Sequence, residues 1–147
     1  MFDGDRSNEF AMKLAGAGYM EIHAAGGGIH YTVKKTKEAS EEKLLDLLRG
    51  RLDQMISQGT TTIEAKSGYG LELETEIKML KVIEQAKSEH QMPIQSTYLA
   101  AHAVPIGRDA AEMTEEIVST VGKTNTFSQV QVGLSNYVKI TNKRYRL

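Results

Sequence analysis

The sequence predicts an α/β fold with parallel strands, and three observations carry that expectation. Helix-like and strand-like segments alternate along the chain. The helical stretch between the two clearest strands is long enough for a crossover connection, which makes those strands parallel. Each strand runs into a short loop of small residues that carries one polar ring, Tyr69 in "KSGYG" and His102 in "AAHAVP". In parallel α/β architectures, open or closed, ligands gather at the carboxyl ends of the strands.

Taken in order, residues 8–25 are expected to be helical in one or two pieces, with Phe10, Met12, Leu14, Tyr19, Met20 and Ile22 as apolar positions. Gly26-Gly27-Gly28 stops them, because three glycines lose too much backbone entropy to continue a helix, and a loop or short irregular piece follows. Ser40 is a suitable N-cap for a helix reaching Gln58. Glu41 and Glu42 lie in its positive first turn, and Leu44, Leu48, Leu52, Met55 and Ile56 step along one face. Gly59 suits the position after its last turn. A strand over 60–66, a helix over 72–88 with Ile77, Leu80 and Ile83 inward, a strand over 94–100 after Pro93 and a helix over 109–121 complete the regular part.

With 40% hydrophobic and 25% charged residues in 147, the chain has the composition of one globular domain. A formal net charge of −1 argues against whole-protein attraction to nucleic acid or acidic membranes. The charge is uneven: residues 122–147 hold five cations and no acid, whereas residues 1–121 hold 13 Lys/Arg against 19 Asp/Glu. The absence of cysteine excludes disulfides and thiolate metal sites and fits a reducing compartment. No stretch approaches the ~18 apolar residues of a membrane helix, and "MFDGDRSNEF" lacks the apolar run of a secretory signal. A cytoplasmic protein is expected.

Each candidate has a plain alternative. A tyrosine in a Gly-rich loop can be a lid over the core, and a histidine after a strand can satisfy a local hydrogen bond. Their matching placement after two parallel strands favours a shared pocket. Gly26-Gly27-Gly28 lacks the surroundings of a phosphate loop and reads as a helix stop. Glu72, Glu74 and Glu76 read as favourable charges at a helix start. His23, His30 and His90 have neither HxH nor HxxxH spacing, so no metal site assembles from local sequence.

Three segments together, "GDRSNEFAMKLAGAGYMEIHAAGGGIHYTV", "GTTTIEAKSGYGLELETEIKMLKVIE" and "STYLAAHAVP", resemble imidazolonepropionases, a branch of the metal-dependent amidohydrolases, over about residues 2–120. The resemblance implies a (β/α)8 TIM barrel with a small flanking β domain and one Zn or Fe ion. It also implies hydrolysis of a cyclic amide C–N bond, taking 4-imidazolone-5-propanoate to N-formimidoyl-L-glutamate in histidine degradation. Three substrate contacts are implied at matching positions. Arg6, in the family's G-x-R turn, offers a forked cation to the propanoate carboxylate. Tyr69 offers a phenol, and His102 offers an imidazole to the ring carbonyl. The implied reaction has metal-bound hydroxide attack a carbonyl polarised by metal and histidine, with a carboxylate moving the proton to the leaving nitrogen.

The sequence departs from that family at both ends. The HxH metal pair precedes the "GDR" turn in the family, and the remaining ligands and the proton-shuttling Glu lie in barrel strands beyond residue 120. A barrel takes about 250 residues. Residues 1–121 are therefore expected to be a partial barrel domain, incomplete in this chain, without its metal ligands and inactive alone. Residues 122–147 read as a basic, disordered tail outside the family pattern, with a β-hairpin in "VQVGLSNYVKI" as the alternative. Association with a full-length subunit, a homo-oligomer, and a small independent α/β ligand-binding domain are further readings.

Overall fold

The computed structural model describes residues 1–105, 107–124 and 131–132, the last pair and residues 121–124 by backbone alone. The chain begins with three short helices, α1 (Ser7–Leu14), α2 (Tyr19–Ala24) and α3 (Ile29–Glu38), followed by α4 (Glu41–Ser57). Then come β1 (Ile63–Lys66), α5 (Leu73–Glu89), β2 (Ile94–Tyr98), a 3-10 turn (Ala100–His102), α6 (Ala110–Thr124) and β3 (Gln131–Val132). The strands form one open parallel sheet in the order β1-β2-β3. Ile63 faces Ile94, Lys66 faces Thr97, and Thr97 in turn faces Gln131. The parallel α/β expectation holds, and the described residues form an open sheet rather than a closed barrel. Most of the 122–147 tail lies outside the described residues, and the hairpin and disorder readings lie there with it; Gln131–Val132 extends the sheet in parallel.

Helix α4 starts as its sequence dictates, with the Ser40 hydroxyl accepting from the Lys43 N–H at 3.1 Å. Its Leu44, Leu45, Leu48 and Leu52 pack with Val82, Ile83 and Ala86 of α5 and with Ala65 and Ile94 of the sheet. A second apolar cluster joins Leu80 to Tyr98, Ala101, Met113 and Ile117, so α5 is clamped between α4 on one flank and α6 on the other. Burial of these side chains is the main stabilising term, at about 1.5–3 kcal/mol for each large one.

Three elements differ from expectation, and one of them is the second strand, which ends at Tyr98 because Ala100 opens the 3-10 turn. The first strand is shorter, because Thr60, Thr61 and Thr62 stay outside the ladder. The segment after the glycines is a full helix, α3, rather than a loop. Its β-branched residues are weak helix formers, but Thr32, Val33 and Thr36 are buried. The ammonium of Lys78 donates to the carbonyls of Thr36, Lys37 and Ala39 at 2.9–3.1 Å. Those are the acceptors a helix end leaves open, so a side chain from α5, 39–42 residues further along the chain, completes the helix.

Candidate functional site

Tyr69 is presented by a loop whose backbone is held from below. Gly68 has φ +111°, and a Cβ there would come within 2.9 Å of the Leu99 carbonyl oxygen. A Cβ on Gly70 would lie 2.7 Å from the Glu76 nitrogen. Both flanking glycines are therefore required, one by conformation and both by space. The carboxylate of Glu76, fully buried in the first turn of α5, accepts from the N–H of Gly68 at 2.9 Å, Gly70 at 2.7 Å and Leu71 at 3.0 Å. Leu71 holds φ 55°, a conformation that non-glycine residues adopt only under constraint, and the Glu76 bond supplies one.

The loop after β2 is tied to the first one. Ser67 N–H donates to the Thr97 carbonyl and Leu99 N–H donates to the Ser67 hydroxyl, both at 3.0 Å. In consequence Tyr69 and His102 lie at the same end of the sheet, with ring centroids 5.3 Å apart and planes at 68°. Phe2 also meets Tyr69, with centroids 5.5 Å apart, so Phe2, Tyr69 and His102 are linked in turn by edge-to-face contacts.

Arg6 sits at the N-cap position of α1. Its Nε donates to Glu9 Oε1 at 2.8 Å and its Nη2 to Oε2 at 2.6 Å. Glu9 Oε1 also accepts from the Gly28 N–H at 2.8 Å. The glycine turn is shaped around this carboxylate: Gly28 has φ +80°, and a Cβ on Gly27 would come within 2.8 Å of Glu9 Oε1. The Arg6 guanidinium holds the Glu9 carboxyl below the usual carboxylate range, helped by the Gly28 N–H and opposed by burial. Glu9 in turn raises Arg6. The Nε–Nη2 edge of Arg6 is thus taken by Glu9, and both Nη1 hydrogens and the second Nη2 hydrogen remain as donors for a second anion.

Arg6 and Tyr69 line one cleft of about 590 Å³, together with Phe2, Glu9, Lys13 and Arg51. His102 does not line that cleft; it contacts Tyr69, which does. Sequence reasoning missed Glu9, Glu76, Phe2 and Arg51. The R-x-x-E spacing at a helix start was the available signal for Glu9. For Glu76 the signal was a carboxylate in the first helical turn after a Gly-rich loop, and its role depends on backbone N–H groups that only the fold collects.

Zn or Fe has no ligand set here. Among the described residues no group of three His, Cys, Asp or Glu side chains could hold a metal ion, and the remaining residues contain none of those types. His23 and His30 do meet, with centroids 5.7 Å apart, but two imidazoles fall short of a Zn site's three or four protein ligands. His90 is engaged locally, near Asp53 and accepting from the Met92 N–H. Elemental analysis of the purified chain is expected to find well under one Zn or Fe per chain; a stoichiometric metal would contradict this.

No helix among the described residues is long and apolar enough to cross a membrane. The fold and site define an α/β protein with an arginine-lined cleft at the carboxyl end of a parallel sheet. No protein-family model matches the chain. It is nevertheless a relative of the imidazolonepropionases. It is 57% identical over 116 residues to a human protein named "Probable imidazolonepropionase", 58% over 116 to one from Xenopus tropicalis and 55% over 120 to one from Dictyostelium discoideum. These matches cover 79–81% of this chain and 27–28% of the relatives, so the chain spans about a quarter of the proteins it resembles.

Proposed function

We propose that this chain forms the substrate-carboxylate side of an imidazolonepropionase-type hydrolase, one that opens 4-imidazolone-5-propanoate to N-formimidoyl-L-glutamate in the cytoplasm. In this reading the open parallel sheet is a segment of a (β/α)8 barrel, residues 1–121 are its domain, and Arg6, Tyr69 and His102 are the substrate contacts. The observation that carries it is the meeting of Tyr69 with His102 at 5.3 Å while Tyr69 and Arg6 line one cleft. Arg6 donates from Nη1 to one carboxylate oxygen and Tyr69 donates its phenol proton to the same group. His102 holds a ring N–H towards the carbonyl of the heterocycle. The chain's own residues bind and orient, and no bond-breaking step is derived from them.

The test is calorimetry of the full chain with 3-(imidazol-4-yl)propanoate, which keeps a five-membered diazole and the propanoate. One-to-one binding is expected, weakened about tenfold by Arg6→Gln and similarly by Tyr69→Phe, as loss of a hydrogen bond to a charged group requires. Equal affinity in wild type and both variants would reject the assignment.

Association with a further polypeptide is a second reading, favoured by the apolar residues exposed on α1 and α2. Phe10, Leu14, Tyr19 and Met20 are each 65–74% exposed, and exposed large apolar side chains are what an interaction surface would supply. Light scattering is then expected to give a mass above the 16.3 kDa of one chain; a strict monomer at high concentration would rule it out.

A further inference from the structure

The carboxylate-binding assignment of Arg6 leaves a charge problem. With Nε and Nη2 on Glu9, the Arg6–Glu9 pair is close to neutral as seen from the cleft, so it orients an anion more than it attracts one. Of the other charged residues on the cleft wall, Asp5 accepts from the Ser7 N–H and hydroxyl, which leave its negative charge in place against an entering carboxylate. That leaves Lys13 and Arg51, and neither has an ion-pair partner among the described residues. Lys13 is exposed, and water screens it; Arg51 is partly buried.

Arg51 is also held in place. Its guanidinium stacks over the Phe2 ring with Cζ 4.2 Å from the centroid, and Nη1 donates to the Phe2 carbonyl at 2.8 Å. Cation–π contact and one hydrogen bond fix the plane of the group and leave its remaining donors for the cleft. Asp3, the acid whose charge Arg51 feels, is itself bound by Lys43 at 2.6 Å. Burial pushes Arg51 below its ordinary value, opposed by the charge of Asp3. Phe2, beneath Arg51, begins the ring contacts that lead through Tyr69 to His102.

We propose that Arg51 is the charge-selecting residue of the cleft: it supplies the cation that draws in the carboxylate of a ligand whose planar head lies along the linked rings of Phe2, Tyr69 and His102, while Arg6 orients one oxygen. This rests on the functional reading above. It predicts that neutral amides of the same shape are excluded from the cleft by charge.

The experiment compares 3-(imidazol-4-yl)propanoate with its primary amide, an uncharged near-isostere, on the full chain. Wild type is expected to bind the carboxylate at least tenfold more tightly than the amide, with affinity falling as salt rises. Arg51→Gln should remove most of that preference while leaving amide binding unchanged; Arg51→Lys should keep much of it. A loss of both ligands alike in Arg51→Gln would make Arg51 a support for Phe2 only and overturn the proposal. An unchanged preference in Arg51→Gln together with a loss in Arg6→Gln would overturn it and leave the Arg6 assignment standing. Absence of saturable binding in wild type would overturn both. Should Arg51→Gln not fold, the wild-type carboxylate preference and its salt dependence, with Arg51→Lys, decide the matter: no preference sinks the proposal.

Discussion

Replacing Glu76 by alanine is expected to lower stability by about 3 kcal/mol or more and to free the loop that carries Tyr69. Three backbone N–H groups, of Gly68, Gly70 and Leu71, share this carboxylate as acceptor. Each buried donor left without a partner costs about 1–3 kcal/mol, less whatever entering water recovers. The cavity left by a fully buried side chain adds to the loss. Glu76→Gln should lie between wild type and alanine, since its amide NH2 faces donors where the carboxylate had acceptor lone pairs. Urea unfolding gives the stability change, and hydrogen exchange at Gly68, Gly70 and Leu71 locates it. Unchanged protection at those three amides would show that the loop holds itself.

For Glu9→Gln a loss of about 2 kcal/mol at neutral pH is expected, since a charge-assisted pair with Arg6 goes while the Gly28 N–H can keep an acceptor. The partial exposure of Arg6 limits the figure. The pH dependence follows from the direction of the shift. The Glu9 carboxyl is held below its ordinary value, so its contribution is complete above the unfolded-state value of about 4.3 and is lost as pH falls through the lower folded-state value. Wild type and Glu9→Gln should therefore melt far apart at pH 7 and draw together on the acid side of pH 4. A constant gap across that range would show that charge is not what Glu9 contributes.

The pattern of these residues explains what the sequence could and could not reveal. Helices α4 and α5 were legible because their apolar stripes and the Ser40 cap are local signals, and the parallel sheet followed from the length of the intervening helix. Tyr69 and His102 were legible as positions because each follows a strand directly. Helix α3 was not, since Gly26-Gly27-Gly28 and the β-branched residues after it argue against a helix locally, and the Lys78 ammonium that completes it arrives from α5. The Arg6–Glu9 pair was hidden for a related reason. An arginine after a turn looks free in sequence, whereas one helical turn places Glu9 against its fork. Glu76 likewise read as one of three helix-start charges, although Glu72 pairs with Lys37 at 2.8 Å and Glu76 alone turns inward to the loop.

On the proposed function, Tyr69, His102 and Arg6 serve one ligand. The most direct measurement is a two-dimensional NMR titration of the full chain with 3-(imidazol-4-yl)propanoate, following the ring protons of Tyr69 and His102 and the guanidinium of Arg6. All three sets of signals are expected to shift together along one saturable curve, with His90 and the His23–His30 pair unmoved. Shifts confined to His23 and His30, or Tyr69 and His102 saturating at different concentrations, would contradict it.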